Sequence, residues 1–176
     1  EINNKHAIMN DLSHLKTKIN DKKLVFSDKK VYFAGTKLVE RGVLSLKQEL
    51  EIMKKLNSFW IKKDKEMFYV GKRSSSKNKL KEFEANGIKT LEFEQPLEII
   101  FTEIEEIPAH ICTFGSTLQK SLKILFNEKI NLYFVDLFEY FSSKNNRRVL
   151  FKQNELDKNI ATYSINSANI KTLELN

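Results

Sequence analysis

Short apolar runs rich in β-branched and aromatic residues alternate with stretches whose apolar residues recur at helical spacing. Residues 31–34 form a compact run, Val-Tyr-Phe-Ala, that stops at Gly35, and residues 67–70, 88–93, 110–113 and 130–135 repeat the theme. Between these runs, residues 45–60, 77–86, 95–100 and 116–126 read as helices. Strands alternating with helices predict an α/β fold: a Rossmann-like parallel sheet with helices on both faces. Ligands of such sheets sit beyond the C-terminal ends of the strands. The informative positions are therefore residues 36–42, 71–76, 94–98 and 115–117.

Local signals sharpen the element ends. Ser45-Leu46-Lys47-Gln48 is a capping box opening a helix to about Trp60, with Leu46, Leu50, Met53 and Leu56 or Trp60 on its apolar face. Gly87 is a C′ glycine for the helix before it. Pro96 suits the first turn of a short helix. Residues 6–20 read as a helix with Ile8, Met9, Leu12, Leu15 and Ile19 on one side, and residues 23–26 as a short edge strand. After Asp136 the pattern weakens: residues 142–148 are a polar, basic turn, and residues 149–176 carry no regular period. The expected division is an N-terminal helix and linking segment over 1–29, the sheet domain over 30–140, and a C-terminal extension over 141–176. The chain starts at Glu1 rather than Met, which suggests a fragment of a longer protein.

At 176 residues the chain is one domain by length and large enough to bury a core. Its net charge of +7 points to an anionic partner (nucleotide, nucleic acid or membrane surface), or only to a Lys- and Asn-rich composition that raises the pI. The lone Cys112 excludes an intramolecular disulfide and a cysteine-based metal cluster, and three scattered histidines argue against a metal site. There is no apolar run long enough to span a bilayer and no visible signal peptide. The expected location is cytoplasmic, at most with peripheral contact at the anionic inner face of the membrane.

Four strand ends carry candidate chemistry. Gly115-Ser116-Thr117 turns a strand into a helix, which sets backbone N–H groups and two hydroxyls at a helix N-terminus. That is an anion site suited to phosphate, or else Ser116 is simply an N-cap. Gly71-Lys72-Arg73 supplies a point charge and a two-pronged donor for phosphate, or two solvated cations. Neither a P-loop nor a Gly-x-Gly-x-x-Gly fingerprint is present. Glu98, just after Pro96, can accept both hydroxyls of a ribose or merely complement the helix dipole. Glu40, beside Gly42, is a loop carboxylate that can serve as a general base or lie solvated.

Residues 30–44, 68–80, 87–99 and 107–126 resemble bacterial sialyltransferases of glycosyltransferase family 52 and, more weakly, bacterial polysialyltransferases. The resemblance spans roughly residues 30 to 140 and rests on the order and spacing of several loose motifs. It implies one half of a two-domain, double-Rossmann (GT-B) glycosyltransferase, mainly the C-terminal nucleotide-binding domain. It also implies transfer of sialic acid from CMP-sialic acid to a hydroxyl of a cell-surface glycan, such as lipooligosaccharide or capsule, with no metal or other cofactor. On that resemblance Glu40 is the general base, Ser116 and Thr117 bind the phosphate, Glu98 holds the ribose, and backbone around Gly71 and Pro96 lines the cytosine.

Lys72-Arg73 stands where the family has a histidine dipeptide that assists departure of CMP, so Lys72 is the catalytic candidate and Arg73 a CMP contact. A free lysine, with a pKa of about 10.4 against about 6.5 for histidine, is a poor proton donor. It remains a good electrostatic partner for a phosphate leaving group. His110 is either a substitute donor or a hydrogen-bonded structural histidine. A missing N-terminal domain, or a homodimer partner, would supply the acceptor face. The alternatives are a catalytically degenerate nucleotide-binding relative and a basic module for nucleic acid or membrane surface. Because aromatic and basic residues do not interleave on any one strand, there is no stacking platform and no nucleic acid partner is expected.

Overall fold

The computed structural model describes residues 12–20, 22–72, 75–137 and 170–173. In chain order the elements are α1 (Ser13–Asn20), β1 (Val25–Ala34), α2 (Leu46–Ile61), β2 (Glu66–Gly71), α3 (Lys77–Ala85), β3 (Lys89–Glu92), α4 (Leu97–Glu103), β4 (Glu106–Thr113), α5 (Thr117–Phe126), β5 (Asn131–Val135) and β6 (Ile170–Leu173). The strands form one six-stranded sheet in the order β3-β2-β1-β4-β5-β6. Every neighbouring pair is parallel.

Alternation along β1 explains the layers. Val31 and Phe33 point to one face, where α2 and α3 cover them with Leu50, Met53, Leu56, Leu80 and Phe83. Tyr32 and Ala34 point to the other, where Leu97 and Phe101 of α4 and Leu118, Leu122 and Phe126 of α5 pack. Successive strand side chains face opposite ways, so a strand buried on both faces must be apolar throughout. In β4, every residue from Ile107 to Thr113 is buried.

From β1 the chain steps outward through α2, β2, α3 and β3, then returns by α4 to the other side of β1. Keeping parallel crossovers right-handed while reversing direction requires the later helices on the opposite face. The reversal falls between β1 and β4, and parallel sheets open a crevice there.

The capping box forms: the Ser45 hydroxyl accepts from Gln48 N at 3.2 Å, and Ser45 N donates to Gln48 Oε1 at 2.8 Å. Gly87 takes the left-handed φ of 78° expected after a helix end.

Three expectations change. Residues 23–26 are not an edge strand: Val25 begins the central strand β1. The polar run 27–30 hid this continuity. It is accommodated by a register irregularity between Ser27 and Val31, opposite Pro108, which has no N–H to offer the ladder. Second, the helix expected over 6–20 starts at Ser13, because Leu12 has a φ of 56° and cannot continue an α-helix; residues 6–11 lie outside the described residues. Third, the patternless tail supplies β6, whose Leu173 carbonyl accepts from Asp136 N at 3.2 Å. Four residues on a sheet edge are too few to show a period. The basic turn read over 142–148 lies outside the described residues. Among the described residues, no helix is long and apolar enough to cross a membrane.

Candidate functional site

A cavity of about 380 Å³ opens at the C-terminal ends of the strands. Four segments wall it: Ala34, Gly35 and Lys37 after β1; Val70, Gly71 and Lys72 after β2; Phe93 and residues 95–98 after β3; and residues 116–118 at the start of α5.

The backbone makes this crevice possible at two glycines. A Cβ on Gly35 would stand 2.5 Å from the Tyr69 hydroxyl and 2.8 Å from the Val70 carbonyl oxygen, so only glycine lets β1 end this close to β2. Gly115, at a φ of 100°, turns β4 toward α5. Its N–H donates to Thr113 Oγ1 at 2.7 Å, which fixes the turn.

Ser116 is the N-cap of α5, and its Oγ accepts from Leu118 N at 3.3 Å. The two expectations for Ser116 are thus compatible in space: it caps the helix and also faces the cavity. Thr117 is exposed beside it. Gln119 N in turn donates to the Ser116 carbonyl at 3.1 Å, so what the start of α5 offers an anion is the Thr117 N–H, the two hydroxyls and the positive end of the helix dipole. Across the cavity Pro96 is the N-cap of α4, and Glu98 lies in that helix's first turn.

Lys72 leaves β2 in a tight turn closed by Lys72 N to Ser75 Oγ at 2.9 Å and Ser75 N to Lys72 O at 2.7 Å. Partial burial pushes its ammonium below the usual lysine range; Lys37 and Arg41 push the same way, and Glu98 opposes them. A lysine so placed releases a proton more readily than a free one. None of the ion pairs among the described residues uses Lys37, Arg41 or Lys72. The cavity mouth is therefore a positive field with one carboxylate, Glu98, on its wall.

Gly71, Lys72, Pro96, Glu98, Ser116 and Thr117, anticipated from separate stretches of sequence, all line this one cavity. Glu40 is not among the lining residues; its Oε2 lies 3.8 Å from Lys79 Nζ. Arg73 lies outside the described residues. His110 is a structural histidine: 5% exposed and in mid-β4, it lies 3.1 Å from the Tyr133 hydroxyl through Nδ1 and 2.8 Å from Asp28 Oδ1 through Nε2. Burial lowers its pKa against the pull of Asp28, so the ring is neutral at pH 7.

Lys37 and Gln95 also line the cavity and fall within the strand-end stretches marked in the sequence, though neither was given a role there; Phe93, another lining residue, lies just outside those stretches. Their signal was position alone, since each sits at or just past a strand end. Among the described residues no group of three or more His, Cys, Asp or Glu side chains could hold a metal ion. No family model matches this sequence, and no curated protein matches it.

Proposed function

We propose that the chain binds the nucleotide of CMP-sialic acid in this cavity, as the donor half of a GT-B sialyltransferase acting on a hydroxyl of a cell-surface glycan. The observation that supports this reading is convergence. The residues that the sialyltransferase resemblance marks for phosphate, ribose and base come from three separate segments and line one crevice where the strand order reverses. Its volume of about 380 Å³ suits one small ligand rather than a macromolecule.

In this reading the phosphate sits at the N-terminus of α5, on the Thr117 N–H and the hydroxyls of Ser116 and Thr117. Glu98 accepts the ribose hydroxyls. The Lys72 ammonium stabilises the negative charge that grows on the departing phosphate, and its depressed pKa brings it closer to the behaviour of a proton donor. Glu40 takes the proton of the acceptor hydroxyl. The acceptor itself needs a second face, from another domain or a second copy, because transfer requires both substrates at reacting distance.

One observation favours a second reading, nucleotide binding without transfer: the Glu40 carboxylate is directed at Lys79 rather than lining the cavity. Turnover of CMP-sialic acid separates the two.

Calorimetry with CMP, UDP and GDP tests the binding claim. CMP should bind more tightly than the other two, and equal affinity for all three would overturn the assignment. Changing Ser116 and Thr117 together to alanine removes two hydroxyls and leaves the backbone N–H groups. Hydrogen bonds to charged groups contribute about 1.5–3 kcal/mol each, so CMP affinity should fall at least about tenfold. Cytidine, lacking the phosphate, should bind parent and variant alike. If Ser116 is a helix cap and nothing more, the double variant loses about 1 kcal/mol of stability and keeps its CMP affinity.

A further inference from the structure

We propose that Lys79 is a positioning residue: it holds the loop between β1 and α2 down onto α3, and thereby sets the cavity wall that Gly35 and Lys37 form. Lysine is almost never fully buried without partners, yet Lys79 in α3 is 1% exposed. Its Nζ lies 2.8 Å from Oε2 of Glu49, a residue of α2 that is itself 0% exposed. The same Nζ donates to the Thr36 carbonyl at 3.3 Å and stands 3.8 Å from Glu40 Oε2. The Tyr69 hydroxyl donates to Glu49 Oε1 at 3.1 Å, and the Tyr69 ring lies beside the ammonium, 5.3 Å from its centroid. One ammonium on α3 thus meets α2, β2 and two points of the loop.

Stability alone is a weak reason for such an arrangement, because a buried ion pair seldom outperforms apolar side chains of the same volume. The ammonium instead reaches the loop at two points, a hydrogen bond to the Thr36 carbonyl and an ion pair with Glu40. Thr36 directly follows Gly35 and precedes Lys37, and both of those line the cavity. Glu40 sits in the compact turn closed by Arg41 N to Lys37 O, Gly42 N to Val39 O and Val43 N to Leu38 O. Glu49 pairs with the ammonium in the interior, and the Thr36 carbonyl and Glu40 bring the loop to it. From beneath, the Tyr69 hydroxyl fills the space left by the missing side chain of Gly35. The consequence for nucleotide affinity rests on the function proposed above; the hold on the loop does not.

Lys79→Met alone would strand the Glu49 carboxylate, so the test uses the full chain carrying both Lys79→Met and Glu49→Gln. This pair removes both charges, keeps the volume and leaves an acceptor for Tyr69. Hydrogen exchange without nucleotide reads the amides of Arg41, Gly42 and Val43, and a CMP titration follows. In the folded double variant those amides should exchange at least about tenfold faster than in the parent, while the strands keep their protection. CMP should bind at least about tenfold more weakly. Parent-like protection of the three amides in the folded double variant overturns the proposal. Faster exchange with unchanged CMP affinity supports the hold on the loop and overturns the placing of the nucleotide against it. Should the double variant not fold, Glu40→Gln leaves the buried pair intact and loosens only the outer contact. Exchange at Arg41 and Gly42 should then quicken by about threefold, and an unchanged rate overturns the proposal.

Discussion

Lys79, Glu49 and Tyr69 meet beneath the C-terminal end of β1, while His110, Asp28 and Tyr133 meet farther back on the same face of the sheet, beside Trp60. Both groups put charge or strong polarity among apolar side chains, but they differ in how much water remains. The side chains of Lys79 and Glu49 are 2% and 0% exposed. Asp28, by contrast, keeps 75% of its side chain in solvent, and Lys65 reaches it at 2.5 Å.

The difference decides how each group responds to a proton. Burial raises the Glu49 carboxyl above its ordinary 4.5 even with Lys79 beside it. Asp28, largely exposed and hydrogen-bonded by Lys65 and His110, is drawn down to about 2. Burial lowers the imidazole of His110 below its ordinary 6.5. A charge closed off from water is held rigidly or not at all, whereas one with water beside it can be loosened gradually. The closed cluster lies under the loop that borders the cavity, and the open one lies away from it.

The sharpest way to break this comparison is Lys79→Met. It leaves Glu49 buried and unpaired, which should destabilise the fold by about 3–5 kcal/mol, read from the urea midpoint. A loss below about 1 kcal/mol would mean that Glu49 is as well solvated as Asp28.

Gly35→Ala asks the same question from the loop side. The new Cβ would press on the Tyr69 hydroxyl and the Val70 carbonyl, so a loss of about 1–3 kcal/mol is expected. Parent-like thermal unfolding would show that Tyr69 can retreat and that this cluster is the more pliable one.

The smallest expected effect is a matter of slope. Because the folded pKa of His110 lies below 6.5, the unfolded chain binds more protons there, and this histidine makes stability rise with pH up to 6.5. Glu49 has the opposite sign: the folded chain keeps its proton above 4.5, so its contribution to stability declines as pH rises from 4.5. Replacing His110 with Gln should therefore tilt melting temperature downward with rising pH between 4.5 and 6.5, relative to the parent. The double variant Lys79→Met with Glu49→Gln should tilt it upward. Equal slopes in all three proteins would erase the distinction between the clusters.

Much of the candidate site was legible because it lies where local patterns change. Ser116 follows an apolar run and precedes a 3.6-residue period, and Pro96 and Gly71 punctuate in the same way. Glu40 was legible only as a loop carboxylate; its direction toward Lys79 depends on α3, which follows only after α2 and β2. Lys79 itself was invisible. It occupies Lys77-Asn78-Lys79-Leu80-Lys81, where one lysine among three reads as a solvated helix face.

What the sequence determined by itself is the alternation of strands and helices, the boundaries marked by Ser45, Gly87 and Ser116, and the short list of residues at the strand ends. Those features follow from backbone geometry repeating every two or 3.6 residues, which neighbours in the chain specify. Only the tertiary structure decided the strand order, the bulge that makes residues 25–34 one strand, the place of β6 at the sheet edge, and the meeting of four strand ends around one cavity. It also decided that Lys79 and Glu49 lie inside. The physical reason is that parallel strands pair only through crossovers of a dozen or more residues, and a charged side chain is buried only when its partner arrives from elsewhere in the chain.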